Sequence, residues 1–342
     1  MGETELTPRK KAVLSAIVKA YIETGQPIGS KILMSLMDNA PSSATLRNEM
    51  NELCAWGFLA QPHTSAGRIP TSSAYRFYVD SLMKPIELGN TTKSYIDSKV
   101  LSVSGESQNI PKVVAGYLSD IVGYPAICSY IVGDDVILRQ IELLPFSKRS
   151  AVLLIVTSDG RTLSRVCHFK SIIKAEILDG FLNFAKQRLS GKSLSEFTPV
   201  FLQNTVISAP FSFELMPVFT ELFEMVNSSA KSDVSIVGSS KLYNFCNEDH
   251  ARRIIDLIRR NDTFLSLLKT ENTVVFGSDF PYSELFGKVL VLTDYSYKGK
   301  KCGKIGIIGP DRILYDQVIP SIEYTASRLS QIMTSVAYDM ED

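Results

Sequence analysis

The sequence is poor in the residues that most reactive and cross-linked sites need. It holds three histidines, one tryptophan and five cysteines among 342 residues. The cysteines, at 54, 128, 167, 246 and 302, are scattered, with no two within three residues of each other. An odd, unclustered set argues against a disulfide framework and for reduced thiols in a cytoplasm. Net charge is missing too, because 36 basic residues cancel 36 acidic ones. That balance excludes a uniformly basic nucleic-acid coat and a highly acidic tail protein. With 45% hydrophobic residues the chain also lacks the composition of a disordered one. No stretch approaches twenty uninterrupted apolar residues, and Met1 to Lys11 carries no apolar signal core. These absences predict a cytoplasmic protein with no membrane partner, long enough for two or three domains.

Chemistry is scarce in the same way. Cys246 and His250 stand four apart and Cys167 adjoins His168, but no third and fourth ligands cluster with either pair. No Ser-His-Asp grouping has a recognisable context. Lys298, Lys300, Lys301 and Lys304 flank Gly299 and Gly303, yet Ile305 stands where a phosphate loop needs Ser or Thr for Mg²⁺. A charged hairpin tip is the expectation there. Arg252, Arg253, Arg259 and Arg260 read as a solvated helix face. No catalytic residue, metal ligand or cofactor is therefore predicted, and an enzyme is not expected.

The first 80 residues are more informative. Thr7-Pro8 supplies a cap and a proline at the first helical position, and Val13, Leu14, Ile17, Val18, Tyr21 and Ile22 follow at helical spacing up to Gly25. Ser30 is expected to cap a short helix over 31–37, and Ser42 or Ser43 a third, with Leu46, Met50, Leu53 and Cys54 inward. Two short extended runs around Pro62 to Arg68 then make a hairpin, followed by a helix from Ser72 or Ser73 to Met83. Three helices and a hairpin in this order form the pattern of a winged helix-turn-helix.

On the third helix, Thr45, Arg47, Asn48 and Asn51 fall wholly or partly outside the apolar stripe. Arginine reads guanine or phosphate, asparagine reads adenine, and threonine meets the thymine methyl. From Phe58 to Val79 there is no Asp or Glu, whereas His63, Arg68 and Arg76 are present. Twenty-two acid-free residues beside such a helix suit a surface that faces a polyanion. Thr64, Ser65 and Gly67 are small enough to let a phosphate approach. Residues 1–80 as a whole hold eight Lys/Arg against seven Asp/Glu, so affinity is expected to lean on dimerisation as well as on charge.

Beyond Lys84 to Asn90 two helices are expected, over about 92–103 and 110–122. Strands follow over 126–131, 137–144, 151–157 and 162–169. Helical texture over 172–191 and 213–230 comes next, then a strand at 234–237 and a helix over 249–269. Strands return at 274–277, 289–295 and 303–308, before a final amphipathic helix. Strands, helices, then strands again suggest one α+β domain interrupted by another.

The stretches Leu6-Thr7-Pro8-Arg9, Tyr21 to Lys31 (Tyr-Ile-Glu-Thr-Gly-Gln-Pro-Ile-Gly-Ser-Lys), Ala44 to Met50, Gln61 to Thr71 and Tyr75 to Asp80 closely resemble the bacterial heat-inducible transcription repressor family (HrcA). Leu118 to Tyr124, Ile141 to Val156, Val237 to Ser240 and Gly303 to Pro310 extend the likeness over nearly the whole chain. Departures are small: Ser43 stands where proline is usual, Cys54-Ala55-Trp56 where acids are more frequent, and Ala74 where glycine is common. The resemblance implies an α+β multidomain protein: a winged helix over 1–84, a GAF-like domain over 85–170 and 273–342, and a dimerising domain inserted over 171–272. It implies a homodimeric repressor that binds an inverted-repeat operator in double-stranded DNA ahead of chaperone operons, kept active by a GroE-type chaperonin. Lys31 joins the expected DNA contacts on the same ground. Two rivals share the DNA module. One is a metabolite-sensing regulator whose GAF-like domain holds a ligand; the other is an enzyme fused to a winged helix, against which no glycine-arginine-rich adenylate loop occurs over 100–342.

Overall fold

A computed structural model describes residues 6–63, 66–84, 86–103, 110–133, 136–268, 271 and 273–338. Helix α1 (Pro8–Thr24) starts where Thr7 accepts a hydrogen bond from the Lys10 amide, and it stops at Gly25, whose φ of 65° is the left-handed cap that glycine adopts without strain. Helix α2 (Ser30–Leu36) is preceded by Gly29 and has no side-chain cap. Ser30, expected as that cap, is instead the first helical residue and shares a hydrogen bond with Ser43 Oγ at 2.8 Å. Helix α3 (Ser43–Ala55) is capped by Ser42, whose hydroxyl accepts from the Thr45 amide. Strands β1 (Leu59–Ala60) and β2 (Ile69–Pro70) form the predicted hairpin, pairing Leu59 with Pro70 and Ala60 with Ile69. Helix α4 (Ser72–Phe77) is capped by Thr71 and widens into a π-turn over Tyr78–Leu82, within the helix expected up to Met83.

Helices α5 (Asn90–Leu101) and α6 (Ile110–Val122) lead into strand β3 (Ala126–Tyr130). The chain then leaves for about 100 residues. It builds a meander of β4 (Leu138–Ser147), β5 (Ser150–Thr157) and β6 (Thr162–His168), then helices α7 (Ala175–Arg188), α8 (Pro199–Ser208) and α9 (Met216–Ser229). It returns as β7 (Asp233–Val237), which pairs antiparallel with β3 from Ala126↔Val237 to Tyr130↔Asp233.

The remainder is α10 (Glu248–Arg259), α11 (Asn261–Leu267), β8 (Val274–Phe276), β9 (Lys288–Tyr297), β10 (Lys300–Pro310) and α12 (Tyr315–Tyr338). The single helix expected over 249–269 is two, because Arg260 leaves the helical region at ψ 68°. Together these strands complete a five-stranded antiparallel sheet in the order β7-β3-β10-β9-β8. Its faces follow the strand period of two. Val289, Val291, Ile305 and Ile307 pack against α6 and α12, while Leu290, Leu292 and Ile308 pack against α10 and α11. The Lys298–Gly299 turn between β9 and β10 is the expected charged hairpin tip.

The excursion has a core of its own. Leu138, Ile141, Leu153, Ile155 and Cys167 from the meander pack with Phe181, Leu202, Phe219 and Leu222 from α7 to α9. The division expected at residue 170 therefore runs through one packed unit, since the meander and the helices after it bury each other's apolar faces. The winged helix does the opposite and shares a core with the five-stranded sheet. Tyr75 of α4 stacks on Phe276 of β8 and tilts against Tyr315 of α12, with ring centroids 6.4 and 6.0 Å apart.

Candidate nucleic-acid interface

Helix α3 buries Leu46, Glu49, Met50 and Leu53. At 100° per residue this stripe leaves Ala44, Asn48, Asn51 and Ala55 at the centre of the opposite face, with Arg47 on one flank and Thr45 on the other. Arg47, Asn48 and Asn51 are exposed, and Thr45 is half-buried, its hydroxyl sharing a 3.0 Å hydrogen bond with the capping Ser42. Arg47 and Lys31, the latter exposed at the start of α2, form no ion pair with another described residue.

The buried carboxylate of Glu49 was not anticipated. It takes Arg9 Nη2 at 2.6 Å and Lys10 Nζ at 3.2 Å, and Lys10 also reaches Glu52 at 3.0 Å. Burial alone would raise the Glu49 carboxyl, but the hydrogen bonds from Lys10 and Arg9 outweigh it and hold the group below its ordinary value. Both acids of α3, the buried Glu49 and the exposed Glu52, are thus ion-paired from α1. Lys10 also lies 5.3 Å from the centre of the Trp56 ring, which gives that departure from the family a partner. The signal was readable in principle: Glu49 falls three residues after Leu46, inside the apolar stripe.

The wing is fixed to the rest of the module by backbone. Ile28 and Arg68 exchange both amide hydrogen bonds, at 2.9 and 2.8 Å. Gly67 packs so tightly there that a Cβ would lie 2.4 Å from the Ile28 carbonyl carbon. Its lack of a side chain thus has a packing cause, distinct from the phosphate approach expected of it. Arg68 Nη2 donates to Asn51 Oδ1 at 2.7 Å, so the wing arginine joins the exposed face of α3. His63 is exposed at the tip, where its carbonyl accepts from the Ala66 amide. Thr64 and Ser65 lie outside the described residues.

Arg76 is placed elsewhere. Its Nη2 donates to both carboxylate oxygens of Asp279, at 2.7 and 2.6 Å, and its guanidinium stands 5.2 Å from the Phe276 ring centre. The structure therefore brings Lys31, Thr45, Arg47, Asn48, Asn51, His63, Gly67 and Arg68 to one module, while Arg76 clasps the body behind it. Asp279 lies 203 residues further along the chain, beyond the reach of any local sequence pattern. Among the described residues no group of His, Cys, Asp and Glu is arranged to hold a metal, and no helix is long and apolar enough to cross a membrane.

Comparison with known proteins agrees with this geometry. The family model described as "Winged helix-turn-helix transcription repressor, HrcA DNA-binding" matches residues 5–81. A second, "HrcA protein C terminal domain", matches residues 109–319. A recognition helix with an open polar face, set beside a pinned wing in a matching repressor module, defines the class: a winged-helix, DNA-binding transcription repressor. Among its relatives, the heat-inducible transcription repressor HrcA of Acetivibrio thermocellus is 31% identical, covering 95% of this chain and 96% of that protein. That of Brevibacillus brevis is 29% identical over 96% and 98%. The chain belongs to the HrcA family of heat-inducible transcription repressors. A crystal structure of a protein described as hypothetical shares the fold, with a TM-score of 0.72 at 21% identity over 97% of this chain and 100% of that one.

Proposed function

We propose that the protein represses chaperone operons as a homodimer on an inverted-repeat operator, with its active state maintained by a GroE-type chaperonin in the cytoplasm. The observation that carries the DNA part of this reading is the Arg68–Asn51 hydrogen bond, which joins wing and recognition helix into one polar surface. In this reading Asn48, Asn51 and Arg47 enter the major groove, while Lys31, Thr45, His63, Thr64, Ser65, Gly67 and Arg68 hold its edges. Arg76 contributes by fixing the module to the body.

The domain reading becomes a winged helix over 1–84, a GAF-like body over 85–131 and 233–342, and a dimerising unit inserted over 132–232. A face of the inserted meander supports the dimer. Leu144, Val152 and Val166 are register partners across the three strands, and Leu144, Val166 and the nearby Phe146 are exposed. An apolar row of this kind on an uncovered sheet face suits a second copy of the same chain. Two modules held by one dimer make the second operator contact effectively intramolecular, which offsets the modest charge of each.

Operator binding measured over a salt series tests the reading. Arg68→Ala should weaken binding to every sequence by about tenfold and lower the salt slope by about one. Asn48→Ala should relax preference at one position of each half-site, at a cost of about 1–3 kcal/mol for the favoured base. An unchanged slope in the first variant and an unchanged base profile in the second would remove these contacts from the interface.

A further inference from the structure

A wide opening lies where the inserted unit meets the five-stranded sheet. It has a volume of about 540 Å³, in the range of small-molecule sites. Its walls come from the first turn of α6, the ends of β3 and β7, the turn between β5 and β6, and the segment after α9. Both chain crossings of the inserted unit therefore border it, because β3 leaves at Tyr130 and β7 returns at Asp233.

The charges around the opening do not cancel. Asp159 is consumed by its neighbours: it takes Arg161 Nε at 2.9 Å together with short hydrogen bonds from Thr157 and Tyr130. Arg161 also stacks on Tyr130, 4.6 Å from the ring centre. Burial pushes the Asp159 carboxyl up, but the Arg161 charge and these hydrogen bonds outweigh it and keep the group ionised. Lys112 and Lys231 are left, both lining the opening and neither ion-paired with another described residue; Asp233 is the one remaining acid in the lining. Ser229 is 2% exposed, lines the same space, and its hydroxyl is buried with no hydrogen-bond partner. A buried hydroxyl without a partner is destabilising unless something else satisfies it. Ile110, Leu163, Tyr297 and Met333 supply apolar wall.

We infer that this opening binds a small organic anion, whose carboxylate or phosphate meets Lys112, Lys231 and the Ser229 hydroxyl while its apolar part lies against Leu163, Tyr297 and Met333. Ligand in this place touches both the sheet and the inserted unit. Direct ties across the junction gather at this opening: Tyr297 Oη donates to the Ser158 carbonyl at 3.0 Å, the Tyr130 hydroxyl donates to Asp159, and Arg161 stacks on the Tyr130 ring. Occupancy would thus set the angle of the inserted unit on the body. Given the dimeric operator reading above, it would also set the spacing of the two winged helices.

Calorimetric titration of the full chain with phenyl phosphate, benzoate and phenol tests the site without DNA. One or both anions should bind saturably and neutral phenol should not. The double variant Lys112→Ala/Lys231→Ala, both exposed positions remote from the recognition helix, should bind the anion at least about tenfold more weakly. If neither anion binds saturably, if phenol binds equally well, or if the double variant is unaffected, the site is overturned. The phosphate and carboxylate arms show which head group is preferred. Operator affinity measured with and without saturating anion tests the coupling, and an unchanged affinity in the native protein overturns it. Failure of the operator reading would show separately, as a ligand-free protein that binds no operator.

Discussion

The two ends of the five-stranded sheet are joined to the rest of the molecule in opposite ways. At one end the winged helix is fused: Tyr75, Phe276 and Tyr315 share a core, and Arg76 and Ser72 reach Asp279 and Asp311. At the other end the inserted unit keeps a separate core and meets the sheet through two chain crossings and a few hydrogen bonds. A shared core transmits orientation, because close-packed side chains have no slack. A thin junction with an opening beside it does not. The winged helix is thus fixed to the body, and the looser joint is the one to the inserted unit.

Core truncations should separate the two joints most sharply. Tyr75→Ala and Phe219→Ala each remove a buried aromatic and should cost about 3–5 kcal/mol. Hydrogen exchange would tell them apart. Tyr75→Ala should release α1, α3, β9 and β10 together, whereas Phe219→Ala should release α7 to α9 and leave β9 and β10 protected. Loss of protection across the whole chain in both variants would erase the distinction.

A smaller effect is expected from Asp311, which sits beneath the fused joint. Burial pushes its carboxyl up to about 6, against a modest opposing pull from Lys288 and a 3.4 Å hydrogen bond from Ser72. A carboxyl raised in the folded state binds its proton more tightly there than in the unfolded chain. Stability contributed by this group therefore falls as pH rises from about 4 and levels off above about 6. Asp311→Asn should stabilise the protein by about 2 kcal/mol at pH 8, with the gain shrinking toward pH 4 in urea unfolding. A gain that does not vary with pH would assign the effect to packing. The smallest change should come from Arg76→Ala. Its pair with Asp279 is part-exposed, at 39% and 35%, and such pairs contribute under about 1 kcal/mol. A loss of operator affinity much larger than that, with the fold intact, would return Arg76 to the DNA.

Local chemistry made much of this legible. Thr7-Pro8, Gly25 and Ser42 announced the first and third helices, and the hairpin lay where its small polar tip predicted. The same Thr-Pro signal at 198–199 starts α8, but there it stands alone, because the texture over 192–212 is otherwise weak. Texture also shows where strands give way to helices, but not which core they enter. For that reason β4 to β6 read as part of the first sheet. The exposed positions of α3 followed from helical period alone. The Glu49 neutralisation and the Arg76–Asp279 clasp did not, since both depend on partners brought in from 40 and 203 residues away.

The pairing of β3 with β7 carries one more implication. Tyr130 and Asp233 are register partners, so the inserted unit enters and leaves the sheet through adjacent doors. A tight turn spliced between them would close a hairpin and leave all five strands of the body in place. The unit is in that sense a cassette: its core is separate from that of the body, and the strands that flank it are already neighbours in the sheet.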